Sequence, residues 1–250
     1  MKKLVLVLVV AIAATFLLCL TSCGEPKFEY KKSGDGYIIA GRGEVTDTDL
    51  VIPEKYRGKP IVGIANYAFE NCTDITSVAL PDTVTYIGMN SFRGCTGLKS
   101  INTPANLKKI GECAFEGCTS LEAFDLPDKL DLLVRNSFKN TKLLETEGNV
   151  IYVDGWVVSI ENEPSSVTLR EGTVGIAEYA FLTAEPHILT DVYLPSTLQG
   201  MEFYVEYSDI KFHYNGTAAE WRKIYKEQPY YLHSYTIICT DETIVYDGLN

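Results

Sequence analysis

Seven cysteines and three histidines are the residues of this chain with the most scope for chemistry. The stretch Gly111-Glu112-Cys113-Ala114-Phe115-Glu116-Gly117-Cys118 sets two thiols five positions apart, close enough for a metal site or a redox pair. The wider spacing argues otherwise. Cys72, Cys95 and Cys118 recur every 23 residues, and the same position of two later segments holds Thr141 and Ala184. A metal ligand cannot be exchanged for Ala, whereas a slot for a small buried side chain can. Stacked equivalents about 4.8 Å apart with parallel side chains also exceed the usual disulfide Cβ separation of about 3.8 Å. Cys113 has Tyr67, Asn90, Asn136 and Tyr179 as counterparts, a mixed set that suits a half-exposed position. His187, His213 and His233 stand in no spacing for a ligand pair or a nucleophile partner. Gly34-x-Gly36 and Gly41-x-Gly43 lack the third glycine and following helix of a phosphate loop. Pairs such as Glu202 and Glu206 occur by chance among 33 acids. The expectation is no catalytic residue, no metal and no cofactor.

Composition narrows the partners. Hydrophobic residues make up 46% and charged residues 22% of the 250, enough to bury a core. The formal charge is −11, and the first 22 residues hold Lys2 and Lys3 but no acid, so without them 20 basic residues face 33 acidic ones. Nucleic acid is excluded as a partner on this balance, because phosphate backbones are bound by clustered Lys and Arg.

Residues 1–22 read as a leader. Two lysines precede the apolar run Leu4 to Leu18, which is too short for a stable membrane span, and small residues follow. The sequence Leu20-Thr21-Ser22-Cys23 resembles the lipobox of bacterial lipoproteins. That resemblance implies cleavage after Ser22 and lipid on Cys23, hence a membrane-anchored, extracytoplasmic protein at the cell surface.

The elements that would position any site come from a repeat. Ala68-Phe69, Ser91-Phe92, Ala114-Phe115 and Ser137-Phe138 recur at 23 residues, with Ile64, Ile87, Ile110 and Leu133 in register, and a fifth copy ends in Ala180-Phe181. In Leu121 to Leu126, Phe124 and Leu126 alternate with Ala123 and Asp125, the period-2 pattern of a strand with one buried side. Pro81, Pro104 and Pro127 then stop each strand. Coils this short must stack to bury their apolar sides, so the expected fold is a repeat solenoid of short strands with irregular or short helical segments.

The pattern Ile-Gly-x-x-Ala-Phe-x-x-Cys-x-x-Leu, clearest from Ile87 and Ile110, resembles the leucine-rich repeats of the bacterial BspA-like surface-antigen class. The resemblance implies a repeat architecture rather than a reaction. Expected divisions are a signal peptide at 1–22, an anchor, linker and β-hairpin cap at 23–60, the leucine-rich-repeat solenoid at 61–200, and an α/β cap at 201–250. Asp154-Gly155 between apolar runs predicts a hairpin inserted at about 145–170. Thr217-Ala-Ala-Glu220 is a capping box that predicts a short helix.

What remains for function is surface. The outward strand positions Ser77, Ser100, Ala123 and Asp191, and Ala79, Asn102, Asp125 and Tyr193, form the candidate partner-binding face. Aromatic residues also gather near the C-terminus, including Tyr204, Tyr207, Trp221, Tyr225 and Tyr235. The expectation is a non-catalytic module that binds or adheres to a protein or glycan, with a scaffold role in an envelope or polysaccharide-handling assembly as the alternative.

Overall fold

A 23-residue coil closes only if the chain reverses sharply at fixed places, and the backbone shows where. In the computed structural model, which describes residues 27–127, 130–181, 188–201, 210–224 and 235–246, Tyr67, Asn90, Cys113, Asn136 and Tyr179 all take φ between 53° and 64°. Four residues on, Asn71, Gly94, Gly117 and Asn140 do so again, between 59° and 75°. This left-handed region is costly for most side chains, milder for Asn and free for Gly, which is why those two types recur here. Cys113 therefore belongs to a series after all, one of backbone conformation rather than side-chain type.

These reversals aim alternate N–H groups at the neighbouring coil. Asn90, Phe92 and Gly94 donate to the carbonyls of Glu112, Ala114 and Glu116, while on the opposite edge Gly111 donates back to Ile87. The intervening N–H groups of Ser91, Arg93 and Cys95 turn inward to the carbonyls of Gly88, Asn90 and Phe92, so the backbone is satisfied partly between coils and partly within them. At the Ile-Gly step the coils come close: a Cβ on Gly111 would lie 2.6 Å from the Met89 nitrogen, and one on Gly88 2.6 Å from the Asn66 nitrogen.

The apolar side of every coil faces one continuous core. Its axis is a column of rings, Phe69, Phe92, Phe115 and Phe138, with centroids 5.2, 5.4 and 5.2 Å apart and planes within 12° of parallel. Phe28 closes the first end edge-on, 6.2 Å from Phe69 at 89°. Beside the column, the Cys95 and Cys118 thiols donate to the carbonyls of Phe69 and Phe92, both at 3.1 Å. Both cysteines are fully buried, as a packing slot requires, but Cys72 at the first rung is only half-buried.

The residue before each phenylalanine carries a polar irregularity. Ser91 and Ser137 are fully buried where Ala68, Ala114 and Ala180 stand in other coils. Ser137 donates to the Gly111 carbonyl, whereas the Ser91 hydroxyl has no partner among the described residues. Opposite outcomes follow for the same substitution. Ser91→Ala should raise stability by about 1 kcal/mol and Ser137→Ala lower it by a similar amount, read as urea midpoints.

Two sheets run along the first part of the solenoid. One joins the hairpin Glu29–Ser33 and Gly36–Gly41 to Lys59–Ile64, Tyr86–Ile87, Lys109–Ile110 and Leu132–Leu133. The other stacks Asp49–Val51, Ser77–Ala79 and Ser100–Ile101 in parallel, with Ala123 bridged to Ser100. The fourth coil then departs. Glu145–Glu147 folds onto Val150–Val153, which turns through Asp154 and Gly155, both at positive φ, into Trp156–Ile160. This hairpin is no appendage, because Trp156–Ile160 pairs in parallel with Gly175–Ile176 and becomes a rung.

A second stack begins there. Ser166–Thr168, Asp191–Leu194, Lys211–Tyr214 and Tyr235–Ile238 are parallel neighbours, and Thr243–Tyr246 closes their sheet antiparallel. The result is a solenoid of about eight turns with one short helix among the described residues, Ala218–Ile224. Thr217 and Glu220 cap that helix reciprocally, the Thr217 N–H donating to the Glu220 carboxylate at 2.8 Å and the Glu220 N–H to the Thr217 hydroxyl at 3.3 Å. Trp221 and Tyr235 are buried in the core rather than displayed.

Candidate functional site

The strand face expected from the sequence is divided in two. Ser77, Ser100 and Ala123 form one ladder, with Ala79, Asn102 and Asp125 beside it, while Asp191 and Tyr193 lie in the other sheet. The hairpin at 145–160 separates them, because its strands pair with each other where the next rung of the first face would stand. The eight residues are therefore two surfaces and not one.

The first surface spends its polar groups on itself. Asp49 accepts from the hydroxyls of Ser77 and Thr76, both at 2.6 Å, which holds its carboxyl below the usual carboxylate range. Asn102 caps the Leu80 peptide at both ends, its oxygen accepting from the Leu80 N–H at 2.6 Å and its nitrogen donating to the Leu80 carbonyl at 2.8 Å. Thr103 donates to the Asp125 carbonyl. These bonds seam neighbouring coils, while the Ser100 hydroxyl and the exposed Asp125 carboxylate make no side-chain bond among the described residues.

The second surface differs. Register places Thr168, Tyr193, His213 and Ile238 side by side on four parallel strands. The Tyr193 and His213 rings stack at 4.4 Å and 14°, and Tyr193 is 44% exposed. His213 is held from behind by Asp191, 2.7 Å from Nε2 to the carboxylate, which also accepts from the Thr190 hydroxyl at 2.8 Å. The bond to His213, then that to Thr190, keeps the Asp191 carboxyl below its ordinary range. His213 is half-buried in this pair, which its spacing from the other histidines did not indicate.

At the C-terminal ends of these strands a cleft of about 360 Å³ opens over the rings, lined among others by Thr168, Glu171, Tyr193, His213, Asn215 and Thr240. Such volumes are typical of small-ligand sites. The side chains of Thr168, Glu171 and Asn215 are exposed and make no hydrogen bond or ion pair among the described residues. An exposed aromatic pair ringed by uncommitted polar groups can hold a flat apolar face and direct bonds to its edges. Sequence reasoning missed this cluster because Thr168, Tyr193 and His213 stand 25 and 20 residues apart, outside the 23-residue period.

The cysteines offer packing rather than reactivity. Burial raises the thiols of Cys95 and Cys118, the latter to about 12, and Cys113 is pushed to about 11 by burial and then by its bond with Glu116. Cys72 is also raised by burial, against the neighbouring Arg42. Iodoacetamide at pH 8 should therefore label Cys72 and Cys113 well before Cys95 and Cys118, with the Cys113 rate still climbing towards pH 11. Peptide mass mapping that finds the four equally labelled would contradict this packing. Among the described residues no group of three His, Cys, Asp or Glu could hold a metal ion. Cys23, His187, His233, Glu202, Glu206 and the tyrosines at 204, 207 and 225 lie outside the described residues.

The repeat matches a known protein-family model. Residues 62–184 align with the BspA type leucine rich repeat region, in six copies. Three solved structures are similar to the chain. A leucine-rich-repeat protein of T. pallidum shares 22% identity over 76% of this chain and 70% of its own, with a TM-score of 0.44. One from Bacteroides capillosus shares 27% over 50% of this chain and 98% of its own, at 0.43. One from Bacteroides ovatus shares 21% over 79% and 56%, at 0.46. No curated protein matches the chain. The BspA-type region is a repeat scaffold, and no catalytic family is indicated for it. The matched residues cover the first surface and Thr168, while Asp191, Tyr193, His213 and Asn215 of the second surface lie beyond them.

Proposed function

We propose that this chain is a non-catalytic binding module, held outside the cytoplasm by lipid on Cys23, that engages a protein or glycan partner at the cell surface. The observation that carries the reading is the Tyr193 and His213 pair with unspent Thr168, Glu171 and Asn215 around it, against a first surface whose outward positions Ser77, Ala79, Ser100, Asn102, Ala123 and Asp125 include no aromatic ring. Aromatic residues in a partly enclosed patch supply binding energy at low conformational cost. The leucine-rich-repeat scaffold supports this by holding side chains on successive rungs at fixed spacing.

A protein and glycan array probed with the chain should give a selective signal, reduced at least tenfold by Tyr193→Ala with Asn215→Ala and unchanged by Ser100→Ala. A signal indifferent to the second surface would refute the assignment. The anchor rests on Leu20-Thr21-Ser22-Cys23 and is tested apart from binding. Cys23→Ala should move the protein from the membrane pellet to the soluble fraction, since a polypeptide without its acyl chains loses about 0.8 kcal/mol of anchoring per CH₂. Retention in the pellet would contradict lipidation.

A further inference from the structure

We infer that the cleft over Tyr193 is a carbohydrate subsite that takes one neutral hexopyranose ring with equatorial hydroxyls. The inference rests on the reading that the second surface binds and names its ligand class.

The stacking geometry fixes which side of Tyr193 is open. Rings on adjacent parallel strands that lie 4.4 Å apart and nearly coplanar must stand with their planes across the ladder axis. His213 covers one face of Tyr193. The other face looks along the ladder towards the preceding rung, where register puts Thr168. Thr168 is too small to cover a phenol ring, and its strand is the last of this sheet on that side. A slot one ring thick therefore lies between Tyr193 and the end of the sheet.

The chemistry around the slot suits a sugar. A pyranose with equatorial hydroxyls has a flat C–H face that packs on an aromatic ring, and a rim of hydroxyls that each need a directed partner. The rim of this cleft offers the Thr168 hydroxyl, the Glu171 carboxylate and the Asn215 amide, which between them can donate and accept. None of the three is engaged within the described residues. Glu171 and the net charge of −11 work against uronic acids and sulfated sugars, so the ring is neutral. The cleft lies over the strand ends rather than along an open strand edge, which is the wrong place for an added peptide strand.

Calorimetric titration of the purified full chain with cellohexaose tests this, with polygalacturonate as the acidic comparison. Saturable binding of cellohexaose is expected, with none of polygalacturonate. Tyr193→Ala should weaken it at least tenfold, and Thr168→Trp, which fills the slot while leaving the Tyr193 and His213 stack in place, should do the same. Tyr193→Phe should stay within about threefold, because the ring face is retained. Thermal melts of the variants close to the parent exclude misfolding as the cause. Absence of binding up to about 10 mM, the weak limit of a specific site, overturns the inference. So does cellohexaose binding that Thr168→Trp leaves intact. If an array protein binds and is lost in Tyr193→Ala while cellohexaose never binds, the sugar falls and the binding surface stands.

Discussion

Replacing Phe115 by Ala is expected to destabilise the chain by about 3–5 kcal/mol. Phe115 is fully buried and touches rings on three sides: Phe92 at 5.4 Å, Phe138 at 5.2 Å and Phe124 at 5.4 Å. The void left by the ring cannot collapse easily. The coils above and below are pinned by backbone bonds, among them Phe92 N–H to the Ala114 carbonyl and Phe115 N–H to the Ser137 carbonyl. A cavity that cannot shrink costs both the lost transfer energy and the lost contacts of its walls. Phe115→Leu, which keeps most of the volume but not the parallel stack, should cost clearly less. Urea denaturation followed by far-ultraviolet circular dichroism measures both, and equal losses for Ala and Leu would mean that stacking rather than volume dominates.

The second large effect concerns a single added methyl group. Gly111→Ala should cost about 1–3 kcal/mol, although Gly to Ala at an unstrained site usually stabilises by shrinking the unfolded ensemble. The added Cβ would come within 2.6 Å of the Met89 nitrogen and 2.9 Å of the Gly88 carbonyl carbon, both backbone atoms that have no rotamer by which to retreat. Relief requires the coils to part, which weakens the bond from Gly111 N–H to the Ile87 carbonyl at 2.9 Å. Gly172 makes the control of position: its φ of 87° penalises Ala through the backbone, but no atom lies within 4 Å of its Cβ. Gly88 and Gly111 have φ outside the left-handed region, so their intolerance is one of space alone. Thermal melts showing Gly111→Ala unchanged would mean that the coil spacing is softer than this geometry implies.

The repeat was legible in the sequence because each coil buries the same set of positions. Phe69, Phe92, Phe115 and Phe138 had to meet once the 23-residue period was seen, and alternation alone gave the burial of Phe124 and Leu126, although the strand expected there is reduced to a single bridge at Ala123. Asp154-Gly155 announced its turn through the backbone those residues prefer. Other features were invisible for physical reasons. The left-handed dihedral shared by Tyr67, Asn90 and Cys113 is imposed by stacking against neighbouring coils and overrides side-chain preference, so no residue type marks it. The division of the strand face was hidden because pairing decides it: Trp156–Ile160 serves at once as half of a hairpin and as a rung. The candidate site was hardest to read. Its rungs Ser166, Asp191, Lys211 and Thr236 are aligned in space at unequal intervals along the chain, so the period that revealed the core could not reveal them.

The break at the hairpin has a geometrical consequence. In the first stack each coil pairs with its neighbours along the sheets, so the lining of the cleft does not depend on how many coils precede the break. Insertion of one more 23-residue unit between Ile87 and Ile110 would move the cleft near Tyr193 about 4.8 Å farther from the N-terminal hairpin without altering a residue that lines it. The first stack is in this sense an adjustable stem, and its length sets how far the cleft is carried from the end of the chain that precedes it.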